Sequence, residues 1–195
     1  AYGHLCAAGV VFILLVALIR ELRRRGAFEG GRQAPDLMRQ LDLVGLATVC
    51  DVVPLRGINR AFVGQGLKML ARRGNVGLAC LADVSGLNTP PSGHTFGFML
   101  GPRINAGGRI GASDLGVRLL STQSGDEALG LAAALDELNI RRREIEQEIR
   151  AHAIDMAAEQ EGRPVVLVGH PDWHEGVIGI VAGRLREVLG KPACG

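Results

Sequence analysis

Aromatic side chains are scarce in this chain of 195 residues, at 4%, with one Trp and one Tyr. A surface that grips single strands mainly by stacking bases is therefore not built from this stretch alone. Charge of one sign is lacking too. The formal net charge is +2, so contact with nucleic acid has to come from a local basic patch and not from the field of the whole molecule. Cys6, Cys50, Cys80 and Cys194 form no C-x-x-C pair, which argues against a zinc knuckle or a disulfide framework and fits a reducing, cytoplasmic setting. Neither G-x-x-x-x-G-K-[ST] nor the dinucleotide G-x-G-x-x-G pattern occurs, so a nucleoside-triphosphate or NAD site is not supported.

Long apolar runs are limited to Leu5–Ile19, followed by Arg20, Arg23, Arg24 and Arg25. A membrane span needs about 20 apolar residues, and a signal peptide carries its positive charge ahead of the run. The run is read as a buried core helix, with a membrane-anchored protein as the rival. What is present is globular in character: 47% hydrophobic and 22% charged residues, enough for one large core or two small ones. The chain starts at Ala1 and stops at Gly195 without terminal character, and is read as a piece of a longer protein.

Helical spacing dominates the first two-thirds. Pro35-Asp36 opens a helix with Leu37, Leu41, Val44 and Thr48 on one face, ending before Pro54. Asn59 is the expected cap of the next helix, with Val63, Leu67 and Leu70 inward and Gly74 as its stop. A short helix carries Leu78, Leu81 and Val84. Ser124-x-x-Glu127 is a capping box that opens a long helix through about Gln160, with Leu131, Leu135, Leu138, Ile145, Ile149, Ala153 and Met156 in its stripe and Arg142 interrupting it. That length suits a connector between domains, with a coiled-coil arm as the alternative. Pro164–Gly169 reads as a buried strand, His170–Gly176 as a loop, and Val177 onward as a helix, the opening of an α/β unit whose next strand is expected beyond the chain.

Three segments could carry chemistry. In Gly101-Pro-Arg-Ile-Asn-Ala-Gly-Gly-Arg109 two guanidiniums sit in a glycine-rich backbone whose N–H groups could face an anion; a surface salt-bridge role for Arg103 and Arg109 is the plainer alternative. Asp51 is a carboxylate among small and apolar residues, either a turn cap or a ligand for a hard divalent ion. A single carboxylate cannot hold a metal pair, so other ligands would come from outside the chain. In His170-Pro-Asp-Trp-His174-Glu-Gly176, His174 and the N–H groups near Gly176 form a candidate anion site at a helix N-terminus. A zinc reading of the two histidines is weaker. Trp173 is either packed or a stacking platform. The basic runs Arg23–Arg25, Arg72-Arg73 and Arg141–Arg143 are read as solvated helix faces.

Leu41–Leu55 (LDLVGLATVCDVVPL), Gly101–Arg109 and Trp173–Ala182 (WHEGVIGIVA), in this order, resemble the RecJ family of the DHH phosphoesterase superfamily. Leu5–Phe12 and Leu135-Asp-Glu-Leu-Asn139 are similar to that family's helix after its DHH motif and to its interdomain connector. The resemblance implies an α/β arrangement: residues 1–123 as the C-terminal helical part of a DHH catalytic domain, 124–161 as the connector, and 162–195 as the start of a DHH-associated substrate-binding domain. It implies a metal-dependent, single-strand-specific 5′→3′ DNA exonuclease acting in repair and recombination. Asp51 then matches a catalytic ligand of Mn²⁺ or Mg²⁺, Arg103, Asn105 and Arg109 a motif beside the DNA path, and His174 a strand-holding residue. Single-stranded DNA is the implied partner, with a single-strand-binding protein and a helicase as further candidates. The family's upstream Asp-rich and DHH motifs and its downstream Gly/Ser/Arg motif are absent, so the chain alone is expected to be inactive. Ile13 stands where Lys is frequent, and Gly107 where Ala is usual. The alternatives are a DHH phosphodiesterase for oligonucleotides or cyclic dinucleotides, and a non-catalytic nucleic-acid-binding module.

Overall fold

The computed structural model describes residues 3–195. They form eight α-helices and a two-stranded parallel sheet, gathered into two compact units: Ala1–Pro102 with Leu119–Ala132, and Arg103–Arg118 with Ala133–Gly195.

In the first unit α1 (Ala7–Arg24) begins where the Cys6 thiol accepts from the Gly9 amide, and ends with Arg23 and Arg24 in its last turn, a favourable place for cations. A 3-10 turn (Leu37–Gln40), capped by Asp36, leads into α2 (Leu41–Cys50). Leu41, Val44 and Thr48 are buried, as their spacing predicts. Phe12 of α1 meets Phe62 of α3 (Ile58–Ala71) edge to face, with ring centroids 5.4 Å apart. With Leu41 and Val44 they make a small core, each large side chain contributing roughly 1.5–3 kcal/mol on burial. Leu78 and Leu81 of α4 (Val76–Val84) are fully buried, as are Phe96 and Leu100.

Several expectations are corrected. The apolar run is not buried all round: only Gly9, Phe12 and Ile19 of α1 are buried, while Leu14 is 64% exposed, because the helices it touches here cover one side. No helix of the described residues is long and apolar enough to cross a membrane. Gly57, not Asn59, is the N-cap of α3. Asn59 lies inside the first turn, where its Nδ2 donates to the carbonyls of His4 and Pro54. Arg73, ahead of Gly74, takes the left-handed conformation after that helix.

The glycine-rich arginine segment is helical. A π-helical stretch (Thr95–Leu100) runs straight into α5 (Gly101–Ile110), and the Gly101 amide donates back to the Phe96 carbonyl. In a helix the amides point along the axis into preceding carbonyls, so no amide nest forms there and anion contact falls to side chains.

Three helices cross the division between units: α5, α6 (Leu115–Ser121) and α7 (Gly125–Ala158). The expected capping box is modified. Ser124 Oγ accepts from the Glu127 amide, the Glu127 carboxylate accepts from the Thr122 hydroxyl, and the Ser124 amide donates to Thr122 Oγ1. In the second unit Ile149 and Ala153 of α7 pack with Val166 of β1 (Val166–Leu167) and Val177, Val181 and Leu185 of α8 (Glu175–Leu189). The next strand lies within the chain: β2 (Ala193–Cys194) pairs parallel to β1, Val166 opposite Ala193. The β1–α8–β2 unit leaves His170–Gly176 at the C-terminal end of β1, where α/β sheets bind ligands.

Candidate nucleic-acid and metal site

Asp51 follows the last residue of α2, its amide bonded to the Ala47 carbonyl and its side chain exposed. It is neither a cap of the next helix nor buried. Val52, the next residue, is 86% exposed and holds φ +53°, a left-handed conformation that costs a β-branched residue roughly 1–2 kcal/mol. Strain of this kind gathers where a fold aims a functional group.

Cys50 faces the other way. Its thiol donates to the Phe96 carbonyl at 3.8 Å and lies against Gly101, where a Cβ would collide with the sulfur. Burial first, and then the negative charge of Asp51, push this thiol up to about 11.

The other four predicted residues belong to the second unit. Asn105 and Arg109, four apart on α5, are exposed on one face of the helix. Arg103 points elsewhere. Its Nε donates to Asp136 Oδ1 on α7 at 2.7 Å, and the two side chains are 13% and 23% exposed. A salt bridge at Arg103 is the plainer alternative of the sequence reading, here partly buried instead of on the surface; its partner Asp136 is not expected, and the available signal was a carboxylate directly after the core residue Leu135.

The arginine and histidine motifs meet. Arg109 Nη1 donates to the Gly176 carbonyl at 3.0 Å, and a Cβ on Gly176 would collide with the Arg109 carbonyl. The C-terminal end of α5 thus abuts the N-terminal end of α8, an approach only glycine permits. His174 is the N-cap of α8, with Nδ1 accepting from the Gly176 amide at 3.1 Å. The anion site expected at that amide is therefore filled by the histidine itself. With Nδ1 an acceptor, the neutral ring carries its proton on Nε2, which becomes the donor available to a ligand.

Trp173 packs on the core of this unit, and its Nε1 donates to His152 Nδ1 at 3.3 Å, which favours packing over stacking. The Arg142 that interrupts the stripe is paired to Glu146 at 2.6 Å and bonds Asn139 Oδ1 at 3.3 Å. Among the described residues no three His, Cys, Asp or Glu side chains cluster as metal ligands. Asp51 fits a hard cation as one contributor, and the described residues by themselves do not complete a site.

No protein-family model matches the chain. Over 198 residues it is 41% identical to the single-stranded-DNA-specific exonuclease RecJ of Salmonella typhimurium, covering 96% of this chain and 34% of that protein. The RecJ of Thermus thermophilus is 36% identical over 185 residues, covering 95% and 26%. The crystal structure of RecJ from Thermus thermophilus in complex with Mn²⁺ superposes with a TM-score of 0.83 at 34% identity, over 95% of this chain and 26% of that one. The chain thus spans about a third of the Salmonella relative's length and a quarter of the Thermus one's. Sequence and fold agree over nearly all of these residues, and the chain matches a segment of RecJ.

Proposed function

We propose that the protein carrying this chain is a metal-dependent exonuclease that hydrolyses single-stranded DNA from its 5′ end, in repair and recombination. The observation that carries the reading is the junction of α5 and α8, where two motifs more than sixty residues apart in sequence converge through Arg109 and Gly176. A family likeness in sequence alone would not require that convergence. Single-stranded-DNA-specific relatives weigh against the cyclic-dinucleotide alternative.

On this reading Asn105 and Arg109 contact strand phosphates from one face of α5, and Arg103, directed toward α7, meets a further phosphate, which positions the strand without reading sequence. The His174 ring, turned by its capping bond, offers Nε2–H to a phosphate oxygen. Arg109 divides its guanidinium between the Gly176 carbonyl and the strand, so the strand is registered against the start of α8. Asp51 would be one ligand of Mn²⁺ or Mg²⁺, the ions with which RecJ structures have been solved, the remaining ligands lying outside the described residues. Such a metal supplies activation of water and neutralisation of charge at the scissile phosphate.

The test uses the full-length protein and 5′-labelled single strands with Mn²⁺. Asp51→Asn should lower turnover by about a thousandfold, several kcal/mol of barrier, with strand affinity and unfolding unchanged because the side chain is exposed. The isolated 195-residue chain should not degrade the strand. Full turnover by Asp51→Asn, or robust Mn²⁺-dependent degradation by the isolated, nuclease-free chain, would overturn the assignment.

A further inference from the structure

Asp136 is a carboxylate that no part of this mechanism uses, yet it touches a residue that the mechanism does use. Its Oδ1 takes the Nε–H of Arg103 at 2.7 Å, and both side chains are largely withdrawn from solvent. We propose that Asp136 is a positioning residue for Arg103, fixing the plane in which the guanidinium meets a backbone phosphate. This rests on the reading of Arg103 as a phosphate contact.

The physical case begins with the arginine. Its side chain carries about 2 kcal/mol of rotamer entropy, and a planar fork gains its bidentate geometry only if the plane is set. A bond at Nε sets rotation about the last side-chain bond, which a partner at the outer nitrogens controls less well. The carboxylate is itself held on a long helix. Further along α7, Asn139, Arg142 and Glu146 continue a polar line, Arg142 bonded to both neighbours and Glu146 facing Arg184 of α8 at 3.9 Å. Asp136 is the member of that line that reaches α5.

Charge alone argues against a carboxylate at this place. Beside a polyanion, Asp136 cancels one of the positive charges that attract the strand, and its removal should tighten binding if only net charge mattered. Positioning predicts the opposite sign, and the sign is measurable.

The experiment compares Arg103→Ala, Asp136→Ala, Asp136→Asn and the two double variants in the full-length protein. Affinity for an oligothymidylate is measured across salt concentrations with metal chelated to prevent hydrolysis, and unfolding is followed alongside. Arg103→Ala should weaken binding about tenfold and flatten the log–log salt dependence by about 0.7, the value of one single-strand phosphate contact. Asp136→Ala should reproduce both changes. Asp136→Asn keeps an acceptor for Nε and should lose about threefold; being isosteric, it carries the comparison if the alanine variant does not fold. Neither should weaken binding further in the Arg103→Ala background. Unchanged or tighter binding, a loss that adds to that of Arg103→Ala, or a loss with the salt slope intact would overturn the proposal, the last marking Asp136 as a brace only. If Arg103→Ala itself changes neither affinity nor slope, the phosphate reading of Arg103 fails, and the positioning role with it.

Discussion

The end of α2 and the junction of α5 with α8 aim functional groups in two different ways. Asp51 is exposed, and what orients it is the chain itself: a helix that ends at Cys50 and a valine forced into left-handed φ directly after the carboxylate. Arg103, Arg109 and His174 are each held by a named partner, respectively Asp136, the Gly176 carbonyl and the Gly176 amide. The difference follows from what each group is proposed to meet. A metal supplies its own strong directional bonds and needs a carboxylate presented in the right place. A phosphate on a mobile strand supplies little order, so the protein must bring that order beforehand.

Three substitutions probe the contrast. The largest effect is expected at the junction. Gly176→Ala drives a methyl into the Arg109 carbonyl and should cost about 2–3 kcal/mol, read by urea denaturation, with weaker strand binding. Wild-type stability would show that the helix ends are not in such close contact. At the end of α2 the sign reverses. Val52→Gly relieves the left-handed strain and should raise stability by about 1 kcal/mol while turnover falls, because the carboxylate is no longer aimed. A gain in both would break the comparison.

The smallest effect concerns Asp42, which is buried in the first turn of α2 and accepts from the Leu43 amide. Burial raises its carboxyl above the ordinary aspartate range, against the lowering by the backbone amides. A carboxyl raised on folding contributes stability below its unfolded value and loses that contribution as pH rises through the folded one. Asp42→Asn should therefore match the native protein in acid and exceed it by up to about 1 kcal/mol at neutral pH, measured as unfolding free energy against pH. A constant difference would place the effect elsewhere.

Much of the helical layout was legible, because Leu41, Val44 and Thr48, or Leu131, Leu135 and Ile149, repeat at the period of a buried face. The arginine segment was not. Gly101, Gly107 and Gly108 have poor helix propensity, and no helix is read there, but tertiary packing wins: Ala106 is fully buried, and Gly107 lies close to Leu135 and Leu115. Strand β2 escaped because two residues carry no period. The candidate residues themselves could be picked from composition and motif order. Their partners could not, since Asp136 and the Gly176 carbonyl are brought near by folding and leave only faint marks along the chain.

Cys50 has a consequence for ion choice. A thiol adjoining a metal-binding carboxylate would, once ionised, capture soft ions such as zinc or cadmium in preference to oxygen-seeking manganese or magnesium. Turned toward Phe96 and Gly101 and kept protonated to about 11, the sulfur is withheld from that competition at neutral pH. Were Asp51 the ion ligand proposed above, its neighbour would present no thiolate beside it at neutral pH.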